Sequence, residues 1–209
     1  MSRGLVLAST SRYRAQLLAR IGVPFAIAAP TFDERAHEPA FATTTEIEYA
    51  TMLARGKADS LRADHGDAWI LAADQLAVLP VQAGVAVRTL LHKPGDRDRA
   101  IEQLALLAGK THRLVTAIAL LDSVTGRVQI AHDVVELTMR AFPRAEAEAY
   151  VDACAPLDCV GSYRIEDAGI RLFHSIAGAD PTSIMGLPLL GVCELLRRAG
   201  LLAPLGRRA

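Results

Sequence analysis

Short apolar runs that stop abruptly on hydroxyl or carboxylate residues constrain this chain more than any other feature of its sequence. Leu5–Ala8 halts at Ser9-Thr10-Ser11 and Trp69–Ala73 halts at Asp74-Gln75, each too short for an ordinary helix and aliphatic enough for a buried strand. Segments with helical spacing lie between such runs. Residues 9–11 offer N-cap side chains for a helix with Leu17, Leu18 and Ile21 on its apolar face, ended by Gly22 and Pro24.

The same pattern continues along the chain. Phe25–Ala29 predicts a second strand, and Thr43 to Arg62 a helix with Ile47, Ala50, Ala54 and Ala58 on one face and a Thr43–Glu46 capping box at its start. Leu76–Leu79 and Val85–Leu91 flank Pro80 and Gly84 as the arms of a hairpin would. Asp96–Leu107 predicts a helix stopped by Gly109, and Leu114–Leu121 with Val128–Leu137 a second hairpin around Asp122–Gly126. Pro143 opens a helix to Cys154, Ser162–Phe173 reads as a strand punctuated by glycine, and Pro188–Ala199 reads as a closing helix capped by Gly200. Helix-linked strands mixed with hairpins predict an α/β fold, a mixed twisted sheet flanked by helices. No linker composition divides the chain, and Leu205–Ala209 is expected to fray.

Composition removes several function classes. The chain has 209 residues with 23 Lys+Arg against 23 Asp+Glu, a formal net charge of zero. A mainly electrostatic grip on DNA, RNA or an anionic membrane is therefore not expected. The longest apolar runs, Ala68–Ala73 and Leu187–Leu190, fall well short of the roughly 18 residues that span a bilayer. Met1–Ala8 carries one Arg and too few apolar residues for a signal peptide, so a cytoplasmic protein is expected. Cys154, Cys159 and Cys193 have no zinc spacing and read as reduced core thiols. Of the 23 basic residues only Lys57, Lys93 and Lys110 are lysines, which singles out positions suited to a compact ammonium.

Chemistry-bearing residues gather in four places. Ser9-Thr10-Ser11-Arg12-Tyr13-Arg14 puts hydroxyls, exposed N–H groups and two guanidinium groups on a strand-to-helix turn, where arginines oppose the helix dipole unless an anion compensates. That is the chemistry of a phosphate site. Asp33-Glu34 and Asp74, the latter expected at the rim of a buried strand, supply carboxylates of the kind that hold Mg2+ together with substrate phosphates. Lys93 follows a strand, whereas Lys57 taken alone reads as a snorkelling surface lysine. Gly161–Glu166 and Asp180–Pro188 are glycine-punctuated turns able to wall a pocket. Gly109-Lys110-Thr111 is not a P-loop, because Leu104 stands where glycine is required, and no Gly-x-Ser-x-Gly elbow exists.

Taken together, Leu7-Ala8-Ser9-Thr10-Ser11-x-x-Arg14-x-x-Leu17-Leu18, Asp33-Glu34, Ala54-x-x-Lys57-Ala58, Ala73-Asp74-Gln75, Lys93-Pro94, Gly109-Lys110-Thr111-His112 and Gly186-Leu187-Pro188 resemble the Maf family of nucleoside triphosphate pyrophosphatases over nearly the whole chain. The resemblance implies one domain over residues 1–209, in a single lobe or in two around a cleft. Its architecture would be elongated, anticodon- or ITPase-like, with that cleft at its centre. It also implies a divalent cation, Mg2+ or Mn2+, and hydrolysis of a nucleotide to the monophosphate and pyrophosphate. By the resemblance Asp74 is the proton acceptor, Ser9, Arg14, Lys57 and Lys93 bind phosphates, and Glu34 and Asp74 hold the metal.

Asp74-Gln75, Ala28-Ala29-Pro30-x-x-Asp33-Glu34 and Gly161-Ser162-Tyr163-x-x-Glu166 resemble the branch acting on 7-methyl-GTP, not the one acting on dTTP and UTP. Tyr13, Gln75 and Glu166 then face the base, since an aromatic ring and a carboxylate suit its cationic purine. A dTTP/UTP pyrophosphatase of the same family, or a nucleotide-binding regulator of septum formation with negligible turnover, is the alternative, and an acid-phosphatase-like enzyme a third. A small-molecule substrate, no nucleic-acid polymer, no membrane and a homodimer are the expected partners.

Overall fold

The computed structural model describes residues 3–204, so the expected fraying of Leu205–Ala209 lies outside the described residues. In chain order the elements are β1 (Gly4–Ala8), α1 (Arg12–Ala19), β2 (Phe25–Ala28), α2 (Glu46–Asp59), β3 (Ala68–Leu79), β4 (Thr89–Leu91), α3 (Arg97–Leu107), β5 (Thr111–Asp122), β6 (Val128–Met139), α4 (Arg144–Cys154), β7 (Phe173–Ala177) and α5 (Leu189–Arg198). The strands form one mixed sheet in the order β2-β1-β3-β5-β6-β7, with β4 paired to β3. This is the α/β class that the alternating pattern predicts.

The chain divides into two compact units, and β3, β5 and β6 each contribute residues to both. The first comprises Met1–Gln75, Thr116–Asp133 and Asp180–Ala209. Here β1 pairs in parallel with β2 and with β3, placing Leu5 opposite Phe25 and Trp69. β1 and this half of β3 are buried on both faces, which explains why they are continuously apolar, whereas β2 at the edge leaves Ala26 and Ile27 exposed. Leu5, Leu7, Leu71, Ile118 and Leu120 pack with Leu17 and Leu18 of α1 and with Val192, Leu195 and Leu196 of α5. The α5 stripe has the i, i+3, i+4 spacing of an amphipathic helix. Its opening N–H groups are satisfied from the preceding turn: Leu189 N donates to Thr182 Oγ1 at 2.9 Å and Leu190 N to Asp180 Oδ2 at 2.7 Å.

The second unit comprises Leu76–Val115 and Val134–Ala179. There β3 and β4 are antiparallel, as are β6 and β7, with a register shift at Thr138/Met139. Arg97 on α3 grips Asp152 on α4 through two bonds of 2.6 and 2.9 Å. Its interior holds a ring cluster, His112 with Tyr163 and Phe173.

Four expectations need correction. The strand expected to end at Asp74 runs on to Leu79 as one element, so Asp74 sits inside a strand and not at its rim. The capping box is Thr45–Glu48, not Thr43–Glu46. The hydroxyls of Thr43 and Thr44 instead donate to Ala40 O and close the 3-10 segment Arg35–Ala42, which leaves Thr45 to cap α2. Within Ser162–Phe173, expected as a strand, Ala168–Leu172 is a 3-10 turn and the strand begins only at Phe173. The three cysteines are free but only half-buried, so they are not core residues.

Candidate active site

The first candidate side chains come from the turn after β1. Ser9 N donates to Leu7 O and Ala28 O, both at 3.0 Å, which folds the backbone back at the strand end. Ser9 is 4% exposed, and its Oγ accepts from Ser11 N at 3.1 Å. Ser11 in turn caps α1 by accepting from Arg14 N at 3.4 Å. The first turn of α1 contains no acidic residue, so the positive helix end and two arginines are left together.

The compensating anions arrive from elsewhere in the same unit. Asp74 and Glu34 both act on the part-buried Arg14 guanidinium, whose pKa burial pulls below its ordinary value against their attraction. Arg14 Nε donates to Gly186 O at 2.8 Å, which aims the side chain. Asp74 is 4% exposed, and Lys57 of α2, 6% exposed, donates to its Oδ1. Lys57 Nζ also lies 2.8 Å from Glu34 Oε1, so one ammonium bridges two carboxylates. Burial pushes the Asp74 carboxyl above the usual range, while Lys57 and then Arg14 pull it back down.

Lys57 is therefore not a snorkelling surface residue. Tyr49, Leu53 and Lys57 share the buried face of α2 with Ala50, Ala54 and Ala58, whereas Ile47, expected on that face, is exposed. A helix tolerates a lysine on its buried face when a carboxylate waits there. The loop carrying Glu34 is fastened at its base: Thr31 N donates to Ser60 Oγ at 3.2 Å, and Phe32 lies so close to Gly56 that any Cβ there would overlap its ring.

Ser9, Arg14, Glu34, Lys57, Asp74 and Gln75 all belong to the first unit. Tyr13 is there too, half-buried, with the Arg12 guanidinium 4.9 Å from its ring centre and donating to its Oη at 3.0 Å. Lys93 and Glu166 belong to the second unit, where both are exposed. Gly161-Ser162-Tyr163, quoted for the same motif as Glu166, has left-handed backbone at Gly161 and at Ser162, the latter held by its Oγ donating to Gln103 Oε1 at 2.7 Å.

Two residues that hold Gln75, Thr116 directly and Asp133 through Ser183, escaped sequence reasoning. Gln75 Nε2 donates to Thr116 Oγ1 at 2.9 Å and to Ser183 O at 2.6 Å, and the Ser183 hydroxyl donates to Asp133. A Thr and an Asp inside long strands carry no local signal. Only the turn Asp180–Pro188 was marked in advance.

Among the described residues no group of three or more His, Cys, Asp or Glu side chains is arranged to hold a metal by itself, and no helix is long and apolar enough to cross a membrane. The site chemistry is thus two carboxylates, an ammonium, a guanidinium and a hydroxyl in one unit. Such a set can hold an anion and ionise a proton acceptor beside it.

Known proteins match this chain over nearly its whole length. A protein named 7-methyl-GTP pyrophosphatase from Pseudomonas putida is 40% identical over 202 residues, covering 96% of this chain and 98% of that protein. Proteins of the same name from Pseudomonas syringae pv. syringae and Chromohalobacter salexigens are 41% and 40% identical, over 96% and 97% of this chain and 98% of each of theirs. A solved structure of a HAM1 protein from Coxiella burnetii aligns with 68% of this chain and 75% of its own at 17% identity and a TM-score of 0.43. The family model described as Maf-like protein matches residues 4–199, and the chain belongs to that family.

Proposed function

We infer that the chain is a nucleoside triphosphate pyrophosphatase that acts on 7-methyl-GTP, releasing 7-methyl-GMP and pyrophosphate. One observation carries the reading: a buried carboxylate, Asp74, kept beside an ammonium and a guanidinium on the unit that also bears the Ser9–Arg14 turn. Full-length likeness to proteins named for that activity supports it.

The chemistry follows from charge. Asp74 accepts the proton of a water that attacks the α phosphorus, the bond to the bridging oxygen breaks, and pyrophosphate leaves. Burial raises the affinity of Asp74 for that proton, and Lys57 keeps the group ionised until it is needed. Arg14 sits where a guanidinium fork can take two phosphate oxygens, and the Ser9 hydroxyl, whose Oγ already accepts from Ser11, has its hydrogen left to donate to a third. Lys93, by its motif, adds charge at the leaving group. Electrostatic offset of this kind is the main task in phosphoryl chemistry, where little covalent help is required.

A divalent cation fits the donor set. Lys57 reaches Oδ1 of Asp74 and Oε1 of Glu34, which leaves the second oxygen of each carboxylate for another electropositive group. Two carboxylates suit a hard ion such as Mg2+ or Mn2+ that takes its remaining ligands from phosphates and water. Bound there, the ion would neutralise triphosphate charge. For the base, Gln75 supplies polar recognition and Tyr13 an aromatic ring, while Glu166 is assigned to it by its motif alone.

The test is one panel: 7-methyl-GTP, UTP, dTTP and CTP, each with Mg2+ or Mn2+, assayed for pyrophosphate and for orthophosphate. Catalytic pyrophosphate release, greatest with 7-methyl-GTP, is the expected outcome. Preference for UTP or dTTP moves the chain to the pyrimidine reading. Binding without turnover supports the regulator, and orthophosphate alone indicates a phosphatase.

A further inference from the structure

We propose that Thr116, Ser183 and Asp133 are positioning residues that lock the Gln75 amide with its oxygen outward, so that the site displays a hydrogen-bond acceptor and selects bases that present a ring N–H. This rests on the nucleotide reading above and specifies which base edge it accepts. The orientation is dictated by Ser183. A backbone carbonyl can only accept, and it lies 2.6 Å from the Gln75 terminal nitrogen. Turned over, the amide would set its own oxygen against that carbonyl, two acceptors facing each other. The second amide hydrogen goes to Thr116 Oγ1 at 2.9 Å.

Both donors are thus consumed inside the protein. What Gln75 has left is Oε1, on a residue that is only half-buried. Gly186 helps keep it uncovered: a Cβ there would lie 3.7 Å from Gln75 Oε1 and 3.6 Å from Arg14 Nε, so the acceptor and the anion-binding guanidinium border the same spot. The Gly186 backbone, at φ +90°, is one that residues with a side chain rarely adopt.

The turn at Ser183–Gly186 is itself secured. Ser183 is fully buried, its hydroxyl donates to Asp133 of β6, and Gly186 N returns to Ser183 O at 2.9 Å. One short turn therefore supplies carbonyls to both Gln75 and Arg14, at Ser183 and Gly186 respectively. The chemical consequence is direct. Guanine and 7-methylguanine present a ring N–H beside an amino group, and uracil and thymine present a ring N–H, whereas cytosine and adenine offer a bare ring nitrogen at the corresponding edge. A fixed oxygen facing the ring nitrogen accepts from the first two kinds and meets a lone pair in the last, whose amino group reaches it only if the base shifts. A site built to hydrogen-bond a group at one position disfavours analogues lacking it there.

The experiment has two readings. In the wild type, the Gln75 side-chain amide, identified by its loss in Gln75→Leu, is expected to exchange its two hydrogens with solvent at least tenfold slower than exposed glutamine amides. Thr116→Val, which keeps the shape and removes the hydroxyl, should speed that exchange and lower the ratio of kcat/KM for 7-methyl-GTP over CTP about fivefold, the worth of one neutral hydrogen bond. Asp133→Ala should act in the same direction and more weakly. Amide exchange as fast as in exposed glutamines, or an unchanged ratio in Thr116→Val, overturns the lock. Absence of pyrophosphate release from every nucleotide defeats the enzymatic reading instead. In that case the exchange measurement alone decides the lock.

Discussion

Each unit buries a titratable pair, and the two pairs are treated in opposite ways. In the first, Asp74 and Lys57 are buried as ions, each the other's partner, with Glu34 and Arg14 adding further charge. In the second, His112 is fully buried and held neutral: its Nε2 meets Tyr163 Oη at 2.7 Å, its Nδ1 has no hydrogen-bond partner, and burial lowers its pKa to about 4. Ionised groups inside a protein cost several kcal/mol each unless compensated, so they persist where their charge is used. A neutral imidazole among rings costs less and serves packing. The contrast separates a reactive interior from a structural one.

The comparison breaks most visibly at Lys57. In Lys57→Met, Asp74 is left buried without its ammonium, and about 3–5 kcal/mol of stability at pH 7 should be lost in urea unfolding. The sign with pH is fixed by the raised carboxyl. The folded variant binds a proton at Asp74 more readily than the unfolded chain, so part of the loss should be regained as pH falls toward the ordinary carboxylate range. Removing both charges, with Asp74→Asn added, should also recover part of it. A single variant as stable as the wild type would show that the pair is not desolvated.

The neutral side of the comparison predicts a smaller effect with the opposite pH sense. Below about pH 6.5 the unfolded chain protonates residue 112 while the folded protein refuses until about pH 4, so stability should fall across that window and level off below it. The size is about 3 kcal/mol, from a pKa difference of roughly two and a half units. Urea midpoints at pH 7 and pH 4.5 for the wild type and His112→Gln check this. The variant should lose less on acidification, and parallel losses would mean that His112 is solvated.

How much of this was legible in the sequence depended on whether the deciding contact was local. The Ser9–Ser11 turn and the helix opened by Pro143 emerged as expected, because each rests on local chemistry: Ser11 accepts from Arg14 N three residues on, and proline fixes φ and has no N–H to leave unpaired at a helix start. The passage of β3 through Asp74 did not. A carboxylate inside an apolar strand reads as an end unless one knows that Lys57, 17 residues earlier, arrives to pair with it. For the same reason Lys57 reads as superficial, and neither Thr116, which meets Gln75 directly, nor Asp133, which acts through the turn at Ser183, carries a local sign of that role. The family motifs selected site residues that spacing alone could not rank. Lys93 and Glu166 still rest on those motifs.

The most direct test is Asp74→Asn, which keeps the shape and removes the proton acceptor. The account predicts that pyrophosphate release from 7-methyl-GTP falls about a thousandfold while circular dichroism shows the fold retained. Turnover within a few-fold of the wild type would contradict it.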